Sequence, residues 1–293
     1  MGSRRPKKAP DLPRSLADVH VDVRSRLGAV SPTTTTGIGA LDKLLGGGLR
    51  SGTHLLVSGG PGTGKTSFAL MLAYMAARAR ASVLFTSVGL DETEILARLT
   101  SRALHREYQN VAATYGTIWS GVSTEDEGLR GPIGACLDTV TKKVGDYLHL
   151  HTAEPLHDVA SVADQASLLW ARNERVVVVV DGLEGYGAGA ALSASFDARL
   201  FMVACELSRL ASQGCAVVST CSLLAAPYVV PVTTIAAELK APGEASPKTS
   251  PRKKGQHGAR PMDLAIQKNR HGPTPTIPLV YLAVASVFEE RNQ

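Results

Sequence analysis

The chain has 293 residues, enough to bury a full hydrophobic core as one large domain or as two. Its hydrophobic fraction is 44%, and no apolar run reaches membrane-spanning length, which indicates a globular protein with no membrane partner. The basic N-terminus lacks the apolar region of a secretory signal, and the four cysteines lack metal-binding spacing. We therefore expect reduced cysteines and a cytoplasmic location.

Charge is distributed unevenly along the sequence. The net charge is +5, yet two segments without acidic residues carry nine cations: Arg4, Arg5, Lys7, Lys8, Lys248, Arg252, Lys253, Lys254 and Arg260. The remainder therefore carries a net charge of −4. Basic segments of this kind suit a polyanion such as single-stranded DNA, although they also serve as solubilising tails.

In chain order, residues 1–30 are interpreted as a basic tail and linker that includes a short amphipathic stretch. The next segment, TTTTGIGALDKLLGGGL, predicts a short capped helix ended by glycines. Strands are then predicted at THLLVSG, ASVLFTS, DYLHLHT, RVVVVVDG and CAVVSTCS. Helices are predicted at SFALMLAYMAARARA, DETEILARLTSRAL, SVADQASLLWARN and SFDARLFMVACELSRLASQG, whereas residues 107–145 give no clear pattern.

Three more strands are predicted near the C-terminus, at VVPVTTIAAEL, PMDLAIQKN and TIPLVYLAV. The alternation predicts an α/β fold over residues 31–293, with a mostly parallel sheet flanked by helices and antiparallel edge strands at the C-terminal end. Within this domain, residues 241–260 are rich in Pro, Gly, Ser and Lys. This composition predicts a long loop or a disordered insert.

A glycine-rich loop lies between the first predicted strand of this sheet and its helix. It matches G-x-x-x-x-G-K-[ST] and comprises Gly59, Gly60, Pro61, Gly62, Thr63, Gly64, Lys65, Thr66 and Ser67. Glycines let backbone N–H groups converge on phosphate oxygens, and the helix N-terminus adds partial positive charge. Lys65 is expected to reach the β- and γ-phosphates of ATP, and the Thr66 hydroxyl to ligate Mg²⁺.

A carboxylate partner for the metal is found at the end of the valine-rich strand. Asp181 follows five valines, and the carboxyl ends of strands are where open α/β sheets place ligand-binding groups. The sequence therefore predicts that Asp181 and Thr66 hold Mg²⁺ together. The alternative is that Asp181 only terminates the strand at a turn.

Three further stretches carry a family resemblance over roughly residues 33–290. TTGIGALDKLLGGGL resembles the entry to the core of RadA/KaiC-type ATPases, and ELSRLASQGCAVVSTCSLL resembles the helix and strand that follow the metal-binding Asp in DnaB helicases. KNRHGPT resembles the KNRFG motif of RadA and the corresponding segment of DnaB. The chain thus resembles a single RecA-like P-loop core of the DnaB/RadA/KaiC group. Over these 293 residues we expect no room for the zinc module or protease-like domain of RadA, or for the N-terminal helical domain of DnaB.

The resemblance implies a homo-oligomeric ring, usually a hexamer, with ATP at subunit interfaces. In that group the K-x-R side chains point at the γ-phosphate of the neighbouring subunit, and here these side chains would be Lys268 and Arg270. A guanidinium supplied in trans neutralises charge that develops on the transferred phosphoryl group. The alternative is an ordinary polar hairpin.

The catalytic carboxylate departs from the DnaB pattern. An ungapped alignment places Gly89 where DnaB has its glutamate, whereas a loop two residues longer would match Asp91-Glu92-Thr93 to the E-E-[ST] of KaiC-like relatives. A carboxylate is needed to orient the attacking water. Glu92, with Asp91 as the alternative, is the candidate, and without a carboxylate hydrolysis would be slow. In DnaB a glutamine at the end of the strand that corresponds to CAVVSTCS, the sensor strand, links the γ-phosphate to the DNA-binding loops. Here Ser222 takes its place, so the sequence does not settle whether nucleotide state is coupled to DNA binding.

The loops that line the DNA channel in DnaB and RadA correspond here to residues 185–195 and 223–232. Neither segment contains a basic residue, so neither resembles a phosphate-tracking surface. Tyr186 and Tyr228 are candidates for stacking on bases, or alternatively anchors of their loops.

Three functions remain compatible with these observations. The first is an ATP-hydrolysing DnaB/RadA-like motor or accessory factor that acts on DNA in replication, recombination or repair. The second is a KaiC-like regulatory ATPase without a DNA substrate, and the third is a nucleotide-binding homologue with little turnover. KNRHGPT and the basic insert favour the first, whereas the uncharged loops and the unmatched glutamate position favour the others.

Overall fold

The computed structural model describes residues 15–26, 32–108, 113–189, 194–243 and 258–291. The chain divides into two compact units, Met1–Pro32 and Thr33–Gln293. The first unit contains helix α1 (Leu16–Arg26). Among the described helices, none has the length and apolar character that a bilayer crossing requires.

The second unit begins with a small substructure. Strands β1 (Thr33–Thr34) and β2 (Leu49–Arg50) pair in antiparallel fashion around helix α2 (Gly39–Leu44). Asp42 of α2 accepts hydrogen bonds from the Thr35 hydroxyl at 2.5 Å and from the Thr36 hydroxyl at 2.6 Å. The threonine run thus fixes the chain that leads into the main sheet.

The main sheet has nine strands in the order β13-β12-β11-β10-β3-β9-β7-β4-β5. Their bounds are β3 (His54–Gly59), β4 (Ser82–Val88), β5 (Leu148–Ala153), β7 (Val176–Asp181), β9 (Ala216–Ser222), β10 (Ile235–Lys240), β11 (Ala259–Asn269), β12 (Thr276–Leu282) and β13 (Val287–Glu290). The six strands from β10 to β5 are parallel, and β11, β12 and β13 continue the sheet in antiparallel pairing. The predicted α/β architecture is therefore confirmed.

Helices cover both faces of this sheet. They are α3 (Lys65–Arg78), α4 (Glu92–Tyr108), α5 (Tyr115–Trp119), α6 (Val122–Glu125), α7 (Glu127–Val144), α8 (Val159–Trp170), α9 (Phe196–Ser212) and α10 (Ala226–Val229). Two short strands, β6 (His157–Asp158) and β8 (Tyr186–Gly187), pair separately. All six residues of β7 are buried, as expected for a parallel strand with a core on each face. The core that contains α3, α4 and α7 lies on one face, and the core that contains α8 and α9 lies on the other.

Several local expectations differ from the structure. Residues 115–144, which gave no clear pattern, form α5 to α7, and the interior Pro132 and several glycines of α7 explain why no helical signal was visible. The predicted strand at VVPVTTIAAEL begins only at Ile235, because Pro231 lacks an N–H and lies in a short 3₁₀ helix. Arg260, assigned to the insert, lies in β11. The other insert cations and the four N-terminal ones lie outside the described residues.

Candidate nucleotide-binding site

The glycine-rich loop connects the carboxyl end of β3 to the first residue of α3. β3 ends at Gly59 and α3 begins at Lys65, so the motif has the strand–loop–helix context that it requires. Gly62 and Gly64 adopt positive φ angles of 71° and 92°. These angles turn the chain into α3, whose first N–H groups have no partner within the helix and can face an anion.

Lys65 and Thr66 point to different sides of this loop. The Lys65 ammonium donates to the carbonyls of Gly59 and Gly60 at 2.9 and 3.1 Å, so it lies across the loop itself. The Thr66 hydroxyl donates to a carboxylate oxygen of Asp181 at 2.9 Å. The structure therefore brings together the hydroxyl and the carboxylate predicted to hold Mg²⁺.

Asp181 is buried and surrounded by hydroxyl groups. Besides Thr66, the hydroxyls of Thr220 and Ser87 donate to it at 2.7 and 3.2 Å. Burial raises the pKa of Asp181, and the hydrogen bonds from Thr220, Thr66 and Ser87 oppose that rise. No described residue forms an ion pair with it. A buried carboxylate beside a threonine hydroxyl is the oxygen donor set that Mg²⁺ prefers, so the residues present fit this metal.

A cavity of about 560 Å³ adjoins the loop. Its lining includes Gly62, Lys65, Thr66, Arg98, Tyr115 and Tyr281. The cavity combines the loop and its cation with aromatic rings, and its volume lies in the usual range of small-molecule sites.

Arg98 organises the wall of this cavity, and no sequence motif assigned it a role. Its guanidinium pairs with Glu94 at 2.6 Å and lies 4.1 Å from the ring centre of Tyr115. It also donates to the hydroxyls of Ser67 and Ser286 at 3.3 and 3.4 Å. The E-x-x-x-R spacing on one helix is the only sequence signal for it, and that spacing is typical of ordinary surface pairs.

The structure places the candidate carboxylate Glu92 at the first position of α4, where it is exposed. Asp91 accepts a hydrogen bond from the backbone N–H of Glu94 at 2.6 Å and therefore caps this helix. Gly89 has a φ of 97° and is exposed, with no heavy atom within 4 Å of the position a Cβ would take. Asp91 thus has a helix-capping role, and the catalytic role of Glu92 stays a prediction.

Glu184 is a second carboxylate at the same edge of the sheet. It follows Asp181 by three residues, is half-buried, and accepts a hydrogen bond from the backbone N–H of Ser222 at 2.5 Å. Burial raises the pKa of the Cys221 thiol to about 12, a shift that Glu184 increases and Lys65 decreases. Glu184 and Lys65 therefore both act electrostatically on one side chain. The sequence signal for Glu184 was its position in VVVVVDGLEG, which sequence reasoning passed over.

The KNRHGPT segment lies far from the loop of its own chain. In the register of the sheet, Asn269 pairs with Ile235, and Ile235 pairs with Leu55, four residues before Gly59. At ~3.3 Å per residue, this places the end of β11 about 13 Å along the sheet from the loop. Arg270 is exposed in the turn that follows.

Lys268 has local partners at this end of the sheet. Its ammonium donates to the carbonyls of Val230 and Pro231 at 2.7 and 3.0 Å. Burial lowers the pKa of Lys268, and the neighbouring Arg270 lowers it further. Neither cation contributes to the nucleotide site of its own chain.

The loops compared with a DNA channel are only partly described. Tyr186 is fully buried and its hydroxyl lies 2.9 Å from that of Thr86, so it anchors its loop and offers no ring for stacking. Tyr228 is 37% exposed. Residues 190–193 of the first loop lie outside the described part of the chain.

Comparisons with known proteins agree with this fold and loop. Residues 34–114 match the sequence profile of the family described as "ATPase: KaiC". A search of curated proteins finds no significant match.

Two solved structures share the fold. One is described as "The Structure Of A DnaB-Like Replicative Helicase And Its Interactions With Primase" (TM-score 0.72, 18% identity, covering 95% of this chain and 67% of that chain). The other is described as an ATPase domain (TM-score 0.74, 17% identity, covering 94% of this chain and 98% of that chain). Together with the KaiC match, these structures confirm that the chain resembles the RecA-like P-loop ATPases of the DnaB/KaiC group.

Proposed function

We propose that this protein binds ATP·Mg²⁺ and hydrolyses it as a cytoplasmic, DnaB/RadA-like motor or accessory factor that acts on DNA. The observation that carries the proposal is the 2.9 Å contact between Thr66 of the glycine-rich loop and Asp181 of β7. It joins the phosphate-binding loop to a buried carboxylate, as a nucleotide-bound metal requires.

In this proposal each residue of the site has a defined task. The loop N–H groups and Lys65 would bind the phosphates, and Thr66 and Asp181 would hold Mg²⁺, which would supply positive charge to the phosphate groups. The adjoining cavity accepts the rest of the nucleotide beside Tyr115 and Tyr281. Glu92 orients the attacking water.

The position of KNRHGPT supports assembly into a ring. Arg270 is exposed about 13 Å or more from the loop of its own chain, so it can act on a γ-phosphate only if that nucleotide belongs to a second copy. An arginine supplied in trans completes the site in many P-loop enzymes. This arrangement supports a homo-oligomer, and the resemblance to the DnaB group makes a hexameric ring the expected form.

Lys65→Ala tests the proposal directly. It should abolish tight ATP·Mg²⁺ binding, measured by calorimetry, and leave thermal unfolding without nucleotide unchanged, because this ammonium contacts loop carbonyls and not the core. Lys43→Ala is the matched control, since Lys43 is an exposed lysine outside the loop, and it should bind ATP like the wild type. Unchanged ATP affinity in Lys65→Ala would refute the site.

A KaiC-like regulatory ATPase is the second candidate. The family match to residues 34–114 and the absence of basic residues from the sequence at 185–195 and 223–232 favour it. Such a protein would bind ATP and assemble, but single-stranded DNA would neither bind nor stimulate its turnover. DNA-stimulated hydrolysis, measured over a range of salt concentrations, separates the two functions.

A further inference from the structure

A groove rich in cations lies at the end of the second unit opposite the glycine-rich loop. α3 and α4 begin at the carboxyl edge of the parallel strands, and α7 ends shortly before β5, so the C-terminal ends of all three helices lie at the amino edge. Two cavities of about 230 and 550 Å³ adjoin here and share Arg78, Thr139 and Lys143. We call this continuous depression the basic groove.

Five exposed cations line the basic groove: Arg78, Arg80, Arg106, Lys142 and Lys143. Within the described part of the chain, none of them forms an ion pair. Glu107 is the one acid among the lining residues. The groove therefore concentrates positive charge on a unit that holds 24 Lys and Arg against 23 Asp and Glu over residues 33–293.

A buried arginine adds to this charge. Arg102 is only 6% exposed, and its Nε and Nη1 have no hydrogen-bond partner among the described residues. Its guanidinium lies 5.6 Å from the ring centre of Tyr74, a lining residue, and the guanidinium of Arg78 lies 6.0 Å from the same centre. Burial, reinforced by Arg106, lowers the pKa of Arg102 to about 10, so it remains charged at neutral pH.

Helix dipoles account for part of this arrangement only. Lysine and arginine are favoured in the last turn of a helix, where Arg78, Arg106, Lys142 and Lys143 lie. This preference acts on each helix separately. It explains neither Arg80, which lies beyond the end of α3, nor why three helix ends meet around one groove with a single acid.

Tyrosine rings lie among these cations. Tyr108 is 51% exposed at the lining of the smaller cavity. The Arg80 guanidinium lies 5.1 Å from the ring centre of Tyr147 and donates to its hydroxyl at 3.2 Å. Cations in series with accessible aromatic rings are typical of single-stranded nucleic-acid sites, in which phosphates follow the cations and bases stack on the rings.

We propose that the basic groove binds a single nucleic-acid strand through its phosphate backbone, at the edge of the sheet opposite the ATP site. This inference rests on the proposed function. It places DNA contact on the helix ends and not on the two segments of uncharged sequence at 185–195 and 223–232. The groove is continuous over two cavities, so it can accept several successive phosphates.

Charge reversal in the groove tests this proposal. Lys142→Glu/Lys143→Glu should weaken binding of a labelled oligothymidylate, followed by fluorescence anisotropy, by about tenfold or more. It should also reduce the slope of log K against log salt by about 1.4, since each lost phosphate contact on a single strand contributes ~0.7. Lys43→Glu/Arg172→Glu is the matched control: it makes the same change in net charge at exposed cations that form no ion pair with any described residue and lie outside the groove lining, and it should reduce binding much less. Equal losses in the two variants would overturn the proposal.

Two further arms identify the ligand. Tyr108→Ala should weaken oligothymidylate binding and leave inorganic polyphosphate unaffected, because only bases can stack. The nucleic-acid assignment would be overturned if the protein bound polyphosphate as tightly as DNA and Tyr108→Ala changed neither affinity.

ATP affinity and turnover are measured on the same groove variants. If the protein binds ATP and the groove substitutions leave its DNA affinity unchanged, this inference alone is overturned. A wild-type protein that does not bind ATP would instead refute the proposed function. A wild-type protein that binds ATP but no oligonucleotide, with or without a non-hydrolysable ATP analogue, overturns the groove and the DNA part of the proposed function together.

Discussion

Replacing Gly64 by alanine should destabilise the protein more than the same change at Gly62, although both glycines belong to one loop. Both have positive φ angles, 92° and 71°, at which an L-residue is strained by ~1–2 kcal/mol. A Cβ at Gly64 would also lie 2.7 Å from ring atoms of Tyr281 and 2.9 Å from Phe288, whereas a Cβ at Gly62 would meet no atom within 4 Å.

The two rings cannot easily move aside. They stack with centroids 4.2 Å apart, and both are buried. The Tyr281 hydroxyl lies 3.0 Å from that of Ser67, and the rings of Phe68 and Phe288 are perpendicular with centroids 5.2 Å apart. Overpacking of this kind costs ~1–3 kcal/mol, so the total for Gly64→Ala is about 2–5 kcal/mol against ~1–2 for Gly62→Ala.

Urea unfolding without nucleotide measures both free energies, and a thermal scan should show Gly64→Ala unfolding several degrees below Gly62→Ala. Omitting nucleotide separates packing from ligand binding, which would stabilise the folded state by mass action. Equal destabilisation in the two variants would refute the packing argument and would leave backbone strain as the only cost.

Two other predictions concern catalysis. Glu92→Gln should lower steady-state ATP turnover about a hundredfold or more with ATP still bound, the usual size of a general-base contribution, whereas Glu184→Gln should lower it less than about tenfold. The reverse pattern would give the role to Glu184. Arg270→Ala should retain ATP affinity but lose turnover, and mixing it with Lys65→Ala subunits should restore part of the activity, because intact interfaces then form. A mixture no more active than either variant would contradict an arginine acting in trans.

The sequence predicted those parts of the fold that a short run of consecutive residues is enough to indicate. Five consecutive valines before Asp181 favour a strand buried on both faces, because β-branched residues are enriched in strands. A glycine-rich loop that ends in lysine, between a strand and a helix, is typical of a phosphate-binding loop. Residues 115–144 lacked such a signal, because Pro132 and the surrounding glycines interrupt the helical pattern of α7. There the helix is stabilised by packing on α4, which no window of sequence reveals.

The basic groove could not be predicted for a different reason. Its cations are spread over 65 residues of sequence, from Arg78 to Lys143. All but Arg80 lie in the last turn of a helix, where each by itself matches the ordinary preference for that position. In the sequence, positive charge is visible only in the contiguous basic runs at 4–8 and 248–260. Only the folded arrangement shows that dispersed cations meet, while a contiguous run such as the insert proves to end inside β11 at Arg260.

The sequence alone does not decide between Glu92 and Glu184 as the catalytic carboxylate, because the contacts of Glu184 join residues distant in the chain. Glu92 is suggested by the order of residues after β4. Asp91, however, caps α4, and an acid such as Glu92 is favoured in the first turn of any helix, so both acids have an explanation without catalysis. Glu184 has no such local explanation. It accepts its hydrogen bond from Ser222, 38 residues away at the end of β9, and this strand lies between β7 and β3 in the sheet. Glu184 thus lies three residues after Asp181 and hydrogen-bonds to the end of the neighbouring strand β9, and it therefore belongs in the mutational comparison with Glu92.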